Sequence, residues 1–172
     1  FFLLKGRLAV YVDDPLKGEL INYVTPGEVF GDLAQLMGQP RTATVLAESS
    51  CRESIVLATD ASIFGDISST RPITIQTKLA YYRNTVHNLR WKLEVYRSQH
   101  LQHHLANKHR QVKLYTGTKE TIEELRALYE QAQALAGLLL EWNREFGALS
   151  EDLAPPQDVY TCHIAQDTAK VF

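Results

Sequence analysis

The chain has 172 residues, 45% of them hydrophobic and 22% charged, and carries a formal net charge of −2. That balance describes a globular chain with room for one core and a helical appendage, not a disordered polyampholyte, and no apolar run nears the roughly 20 residues of a membrane-spanning helix. Two cysteines, Cys51 and Cys162, lack metal-ligand spacing and cannot form a disulfide framework, so a reducing cytoplasm is expected. The first eleven residues, FFLLKGRLAVY, begin in mid-strand without an initiator Met or a signal pattern.

Short apolar or β-rich runs follow at 1–4, 8–12, 20–24, 42–47 and 54–58. Turn signals separate them: Lys5-Gly6, Asp13-Asp14-Pro15, Lys17-Gly18, Pro26-Gly27, Gly38-Gln39-Pro40 and Glu48-Ser49-Ser50. Strands of this length and spacing predict an antiparallel sandwich or barrel. Asp60 is placed to cap a short helix over 61–67.

After Arg71-Pro72 the period changes. Ile75, Leu79, Tyr82, Val86, Leu89, Leu93 and Tyr96 recur at steps of four and three, a heptad seam that predicts a long helix packed on another helix. Gly117 interrupts the chain, and Thr121 with Glu124 makes a capping-box pattern. A second amphipathic helix carries Ile122, Leu125, Leu128, Ala132, Leu135, Leu139, Trp142 and Phe146, with Gly147 placed to end it. The pair is expected to form an antiparallel hairpin, a shared bundle or a dimeric coiled coil, with an extended tail over 148–172.

The stretch GEVFGDLAQLMGQPRTATVLA carries the chemistry. Gly31 lets backbone approach a ligand, and a short helix over 33–37 offers unpaired N–H groups and the positive end of a dipole. Arg41, between a proline and a strand, supplies a forked cation, and Thr42 and Ala43 add a hydroxyl and a further amide. Together these describe a pocket for one phosphate. Asp32 beside an anion site makes sense if the ligand also presents a hydroxyl, as a ribose does.

The run Phe30-Gly31-Asp32-Leu33-Ala34 followed by Pro40-Arg41-Thr42-Ala43-Thr44 resembles the phosphate-binding cassette of the cyclic nucleotide-binding domain of the catabolite-activator-like superfamily. Residues 2–8 look like the family's central strand pair, and the resemblance covers roughly residues 1–70. It implies an α+β chain, an antiparallel β-roll of the jelly-roll type followed by long helices, whose β-roll begins upstream of Phe1. It implies that Arg41 pairs with the cyclic phosphate, that Gly31 and the Leu33 and Ala34 amides flank it, and that Thr42 and Ala43 complete the ring, with Phe30 and Pro40 framing the cassette. The family usually has Glu where this chain has Asp32, holding the ribose 2′-hydroxyl; one carbon fewer shortens the reach by roughly 1.5 Å. The ligand implied is cAMP, with cGMP as the alternative because Thr42 resembles members that accept guanine. The resulting organisation is a β-roll at 1–70, a heptad helix and connector at 71–116, a second helix at 117–147 and the tail.

Transcription factors of this family add a helix-turn-helix, and none is recognisable here. Residues 83–113 hold seven Lys or Arg against Glu94, while 119–152 hold eight acids against three bases, so the helical segments are expected to complement each other or a symmetry mate. Five of six histidines fall between 87 and 109. His100 with His103 or His104 offers two imidazoles, but no Asp, Glu or Cys lies beside them in sequence, and a solvated helix end without metal is expected. Trp91 and Trp142 read as packing anchors. No nucleophile elbow, paired acid or Cys-His pattern is present, which predicts a non-enzyme. The expected function is a cytoplasmic cyclic-nucleotide sensor that acts through 73–97 and 121–146 on a protein partner or a second copy, without nucleic acid. The alternatives are a structural or assembly subunit with a ligand-free pocket, and a transcription regulator of the same family.

Overall fold

In the computed structural model, residues 1–12, 20–41, 43–69 and 71–146 are described, with only the backbone for Val12 and Ile21. The expected turns at 13–18, Thr42, the helix stop at Gly147 and the tail lie outside the described residues. Five strands form: β1 (Phe2–Lys5), β2 (Leu8–Val12), β3 (Leu20–Val24), β4 (Ala43–Ala47) and β5 (Ile55–Leu57). They make two small antiparallel sheets, β1 with β5 and the order β3-β2-β4. In the larger sheet Leu8 faces Val24 on one side and Ala47 on the other, and Val12 faces Ala43. The core of this unit is Leu3, Leu8 and Val24, with Val10, Phe30 and Val45 packed against it. Gly6 turns β1 into β2 at φ +88°, and a Cβ there would come within 2.6 Å of the Glu53 carbonyl oxygen.

By its contacts the chain divides into two units, and the division falls inside the short helix α1 (Asp32–Met37). Residues 1–34 and 39–59 belong to the first, and 35–38 with 60–146 to the second. The second unit is helical: α2 (Ser62–Gly65), α3 (Ile75–Gln99), α4 (Lys108–Gln111) and α5 (Ile122–Phe146). The helix α2 is shorter than the expected 61–67 and its N-cap is Ala61, although the Asp60 carboxylate accepts the Ser62 N–H at 2.9 Å. The start of α3 is capped by Thr74, whose hydroxyl accepts the Thr77 N–H at 3.2 Å. Lys78, fully buried, donates from Nζ to the carbonyls of Asp66 and Ser69, and so fastens the chain before α3 onto the helix.

The heptad seam finds its partner within the chain. Leu79, Tyr82, Val86, Leu89, Leu93 and Tyr96 are buried on α3, and Leu125, Leu128, Ala132, Leu135, Leu139 and Trp142 on α5. The helices do not form the expected antiparallel hairpin. Arg83 pairs with Glu124 at 2.7 Å, Tyr82 meets Tyr129 at 5.6 Å, and Tyr96 stacks on Trp142 at 5.2 Å. Both positions rise together, so α3 and α5 run parallel. The connector is long enough to travel back along α3, and it is held there. Arg97 reaches Asn107, Glu94 takes Arg110 and His109, and Arg90 donates to the carbonyls of His109 and Val112.

The two charged segments do complement each other, inside one chain. Arg83 binds Glu120 and Glu124, Lys108 lies 3.5 Å from Glu141, and Glu94, the lone acid of its segment, gathers Arg97, Arg110 and His109. His109 is therefore a buried, paired residue and not part of a solvated end. Thr121 caps α5 as expected, accepting the Glu124 N–H at 3.2 Å, while the Glu124 carboxylate accepts the Glu120 N–H one residue earlier than the capping box places it. Burial of Glu124 favours its neutral form, but the Arg83 hydrogen bonds, the Glu120 N–H and the nearby cations outweigh it and lower its pKa. Glu94 is lowered in the same way, its desolvation outweighed by Arg110, His109 and Arg97. A folded-state pKa below the unfolded one stabilises above the unfolded value, and that contribution is lost as pH falls through the folded value. Helical circular dichroism followed by acid titration is expected to show stability fall below about pH 4.5, and less so in Glu124→Gln, whose baseline is already lowered.

Candidate functional site

Phe30 to Ala34, and Pro40, Arg41, Ala43 and Thr44, lie in the first unit. Phe30 stacks on Phe1 with ring centroids 5.3 Å apart, its N–H donates to the Phe1 carbonyl at 3.0 Å, and its side chain packs on the Leu3-Leu8-Val24 core. It positions the glycine that follows it. Gly31 sits at φ +76°, and α1 begins at Asp32. The chain then turns through Gly38, whose N–H bonds back to Gln35, passes exposed Pro40, and brings Arg41 back to the start of α1. There the Arg41 guanidinium donates from Nη1 to the Gly31 carbonyl and lies 5.7 Å above the Phe1 ring. Ala43 is exposed and opens β4 opposite Val12.

The structure thus brings Gly31, Asp32 and Arg41 to one place. Leu33 and Ala34 are half-buried in the first turn of α1, and the Asp32 carboxylate folds back to accept its neighbour's N–H, Leu33 N, at 3.0 Å. Thr42 lies outside the described residues, so the expected hydroxyl is not placed. Gly31 is required twice over. A Cβ at this position would stand 2.5 Å from Arg41 Nη1, and φ +76° is the left-handed region. Gly31→Ala is expected to destabilise the first unit by about 1–2 kcal/mol through the backbone alone, and to push Arg41 aside. Urea unfolding measures the first effect; wild-type stability in the variant would mean that the loop relaxes to another conformation.

A forked cation of this kind can take an anion. An exposed forked cation stands over a glycine carbonyl at the mouth of a helix turn, and a carboxylate lies beside it to accept a hydroxyl. The described residues also hold groups that the sequence left unmarked. Lys78 is one, an isolated cation in a mostly apolar heptad, and Glu145 is another. Glu145 lies 2.8 Å from His103 Nε2, although 42 positions separate the two in sequence.

Residues 1–70 match the family model of the cyclic nucleotide-binding domain, 70 of the 172 residues. The chain carries that domain at this end of the sequence, its architecture is α+β, and domains of the family are typically regulatory and not catalytic. No curated protein and no solved structure gave a match. Among the described residues, no helix is long and apolar enough to cross a membrane.

Proposed function

We propose that the chain is a non-enzymatic cyclic-nucleotide-responsive regulator that binds cAMP in preference to cGMP and acts through its helical half on a protein partner or a second copy. The observation that carries this reading is the meeting of Arg41 and Gly31 at the start of α1, inside the matched region. The cyclic phosphate takes the Arg41 fork in place of the Gly31 carbonyl, with the Leu33 and Ala34 amides and the Thr42–Ala43 segment around it, while Phe30 and Pro40 hold the loop. Asp32 takes the ribose hydroxyl once its carboxylate turns away from Leu33. The faces of 73–97 and 121–146 not used between α3 and α5 are left for the partner.

A ligand can shift a two-state protein only by its difference in affinity for the two states. Within the helical unit Gln133 Nε2 donates to the Leu36 carbonyl at 3.4 Å. Calorimetric titration with cAMP and cGMP, followed by hydrogen exchange, tests the reading. Slower exchange is expected over 30–44, together with changed exchange over 73–96. Protection restricted to 30–44 would leave binding without transmission, and no binding by either nucleotide would sink the proposal.

A second reading, a structural subunit with a ligand-free pocket, is favoured by one contact: Asp32 already occupies the Leu33 N–H that a phosphate would use. Asp32→Glu separates the two. A sensor limited by carboxylate reach is expected to gain about 1 kcal/mol of nucleotide affinity from it, the net worth of one hydrogen bond. Affinity that stays the same or falls would mean the ribose is held elsewhere.

A further inference from the structure

The parallel run of α3 and α5 places the end of α3, the turn after it and the end of α5 together. His100 stacks on Phe146 at 3.8 Å, His103 lies 4.9 Å from Trp142 and 5.1 Å from Phe146, and His104 lies 4.4 Å from His103. Into this group Glu145 projects its carboxylate, and one ligand atom from each of His103, His104 and Glu145 lies within 4.8 Å of the others. We propose that His103, His104 and Glu145 form a binding site for a divalent transition-metal ion of the Zn2+ type.

Two imidazoles and one carboxylate are a donor set that suits Zn2+, with ligand bonds of about 2.0–2.2 Å and at least one position left for water. Such bonds require donors roughly 3.3–3.5 Å apart in a tetrahedron. The His103–Glu145 pair, at 2.8 Å, is already inside that spacing and has only to open. His104 and Glu145 are both exposed, so the remaining adjustment is rotation of surface side chains. His103 is the fixed member, wedged against Trp142 and Phe146. Leu105 N–H points at His103 Nδ1 at 3.4 Å, so the neutral ring carries its proton on Nε2, facing Glu145. The ion replaces that proton at Nε2; the proton moves to Nδ1, and the long Leu105 contact is given up.

An ion there ties the turn after α3 to the last turn of α5, acting as a clasp at one end of the helical unit. The test uses the full chain with Zn2+ alone in calorimetry, and Co2+ as a spectroscopic probe. One equivalent of Zn2+ is expected to bind and raise the melting temperature, and Co2+ to develop the visible bands of a low-symmetry site. His104→Gln and Glu145→Gln change exposed side chains, so the fold should persist by circular dichroism while Zn2+ affinity falls at least tenfold in each. Quenching of Trp142 by one equivalent of Co2+ should disappear with them. Absence of stoichiometric binding, or equal affinity in Glu145→Gln, would overturn the site.

Discussion

Replacing Arg41 by Ala is expected to weaken cyclic nucleotide binding by about 2–4 kcal/mol, roughly 30- to 900-fold. A cyclic phosphate stripped of water needs a charged, forked donor, and Arg41 is the cation the fold delivers to the start of α1. The side chain is exposed and meets the Gly31 carbonyl and the face of the Phe1 ring, not the core, so the variant should fold as the wild type does. Loss of affinity can then be read without a stability correction. Arg41→Lys keeps the charge but not the fork and should fall between the two. Calorimetry with cAMP measures all three, and wild-type affinity in Arg41→Ala would place the phosphate elsewhere.

The largest effect on stability is expected at Trp142. Its ring is 1% exposed, lies 9° from parallel to Tyr96, and borders His103 and Phe146. Beside it Tyr96 donates its hydroxyl to Asn143 at 2.6 Å, so the ring also shields a polar contact between the helices. Trp142→Ala removes the indole from a closed site and should destabilise the helical unit by about 3–5 kcal/mol. Urea unfolding followed at the remaining Trp91 measures it. A loss below about 1 kcal/mol would mean that the site collapses without leaving a cavity.

What the sequence made legible is what its neighbours determine. Leu8–Val12 and Leu20–Val24 are β-rich runs between turn signals, and they are strands. The seven-residue spacing of Leu79, Val86 and Leu93 declares a helix that must bury one face, and it does. The meeting of Gly31 and Arg41 was legible for the same reason: they are ten residues apart, and the loop between them returns on itself. The direction of α5 was not. An apolar stripe reads the same from either end, and only the grip of Arg90, Glu94 and Arg97 on the connector decides the matter. That direction has a chemical consequence. In an antiparallel pair Glu145 would stand near the start of α3, a helix of 25 residues or about 37 Å away from the histidines. No carboxylate stands beside the histidines in sequence, and the fold brings Glu145 to 2.8 Å from His103. Thr74 and Lys78 went unread because their roles depend on where the chain before α3 lies.

The parallel run of α3 and α5 also gives the helical unit an electrical polarity. Aligned peptide groups leave about half a positive charge at the first turn of each helix and half a negative charge at the last. Antiparallel helices cancel these poles, whereas here like poles stand side by side. The side chains compensate: Glu123 and Glu124 occupy the first turn of α5, and Arg97 and Arg144 the last turns of α3 and α5. Repulsion between like poles is screened over roughly 8–10 Å at ordinary ionic strength, so added salt relieves it even as it weakens the surface ion pairs. The unit therefore balances its two ends with side chains of opposite sign, acids at the N–H pole of α5 and arginines at the carbonyl poles of both helices.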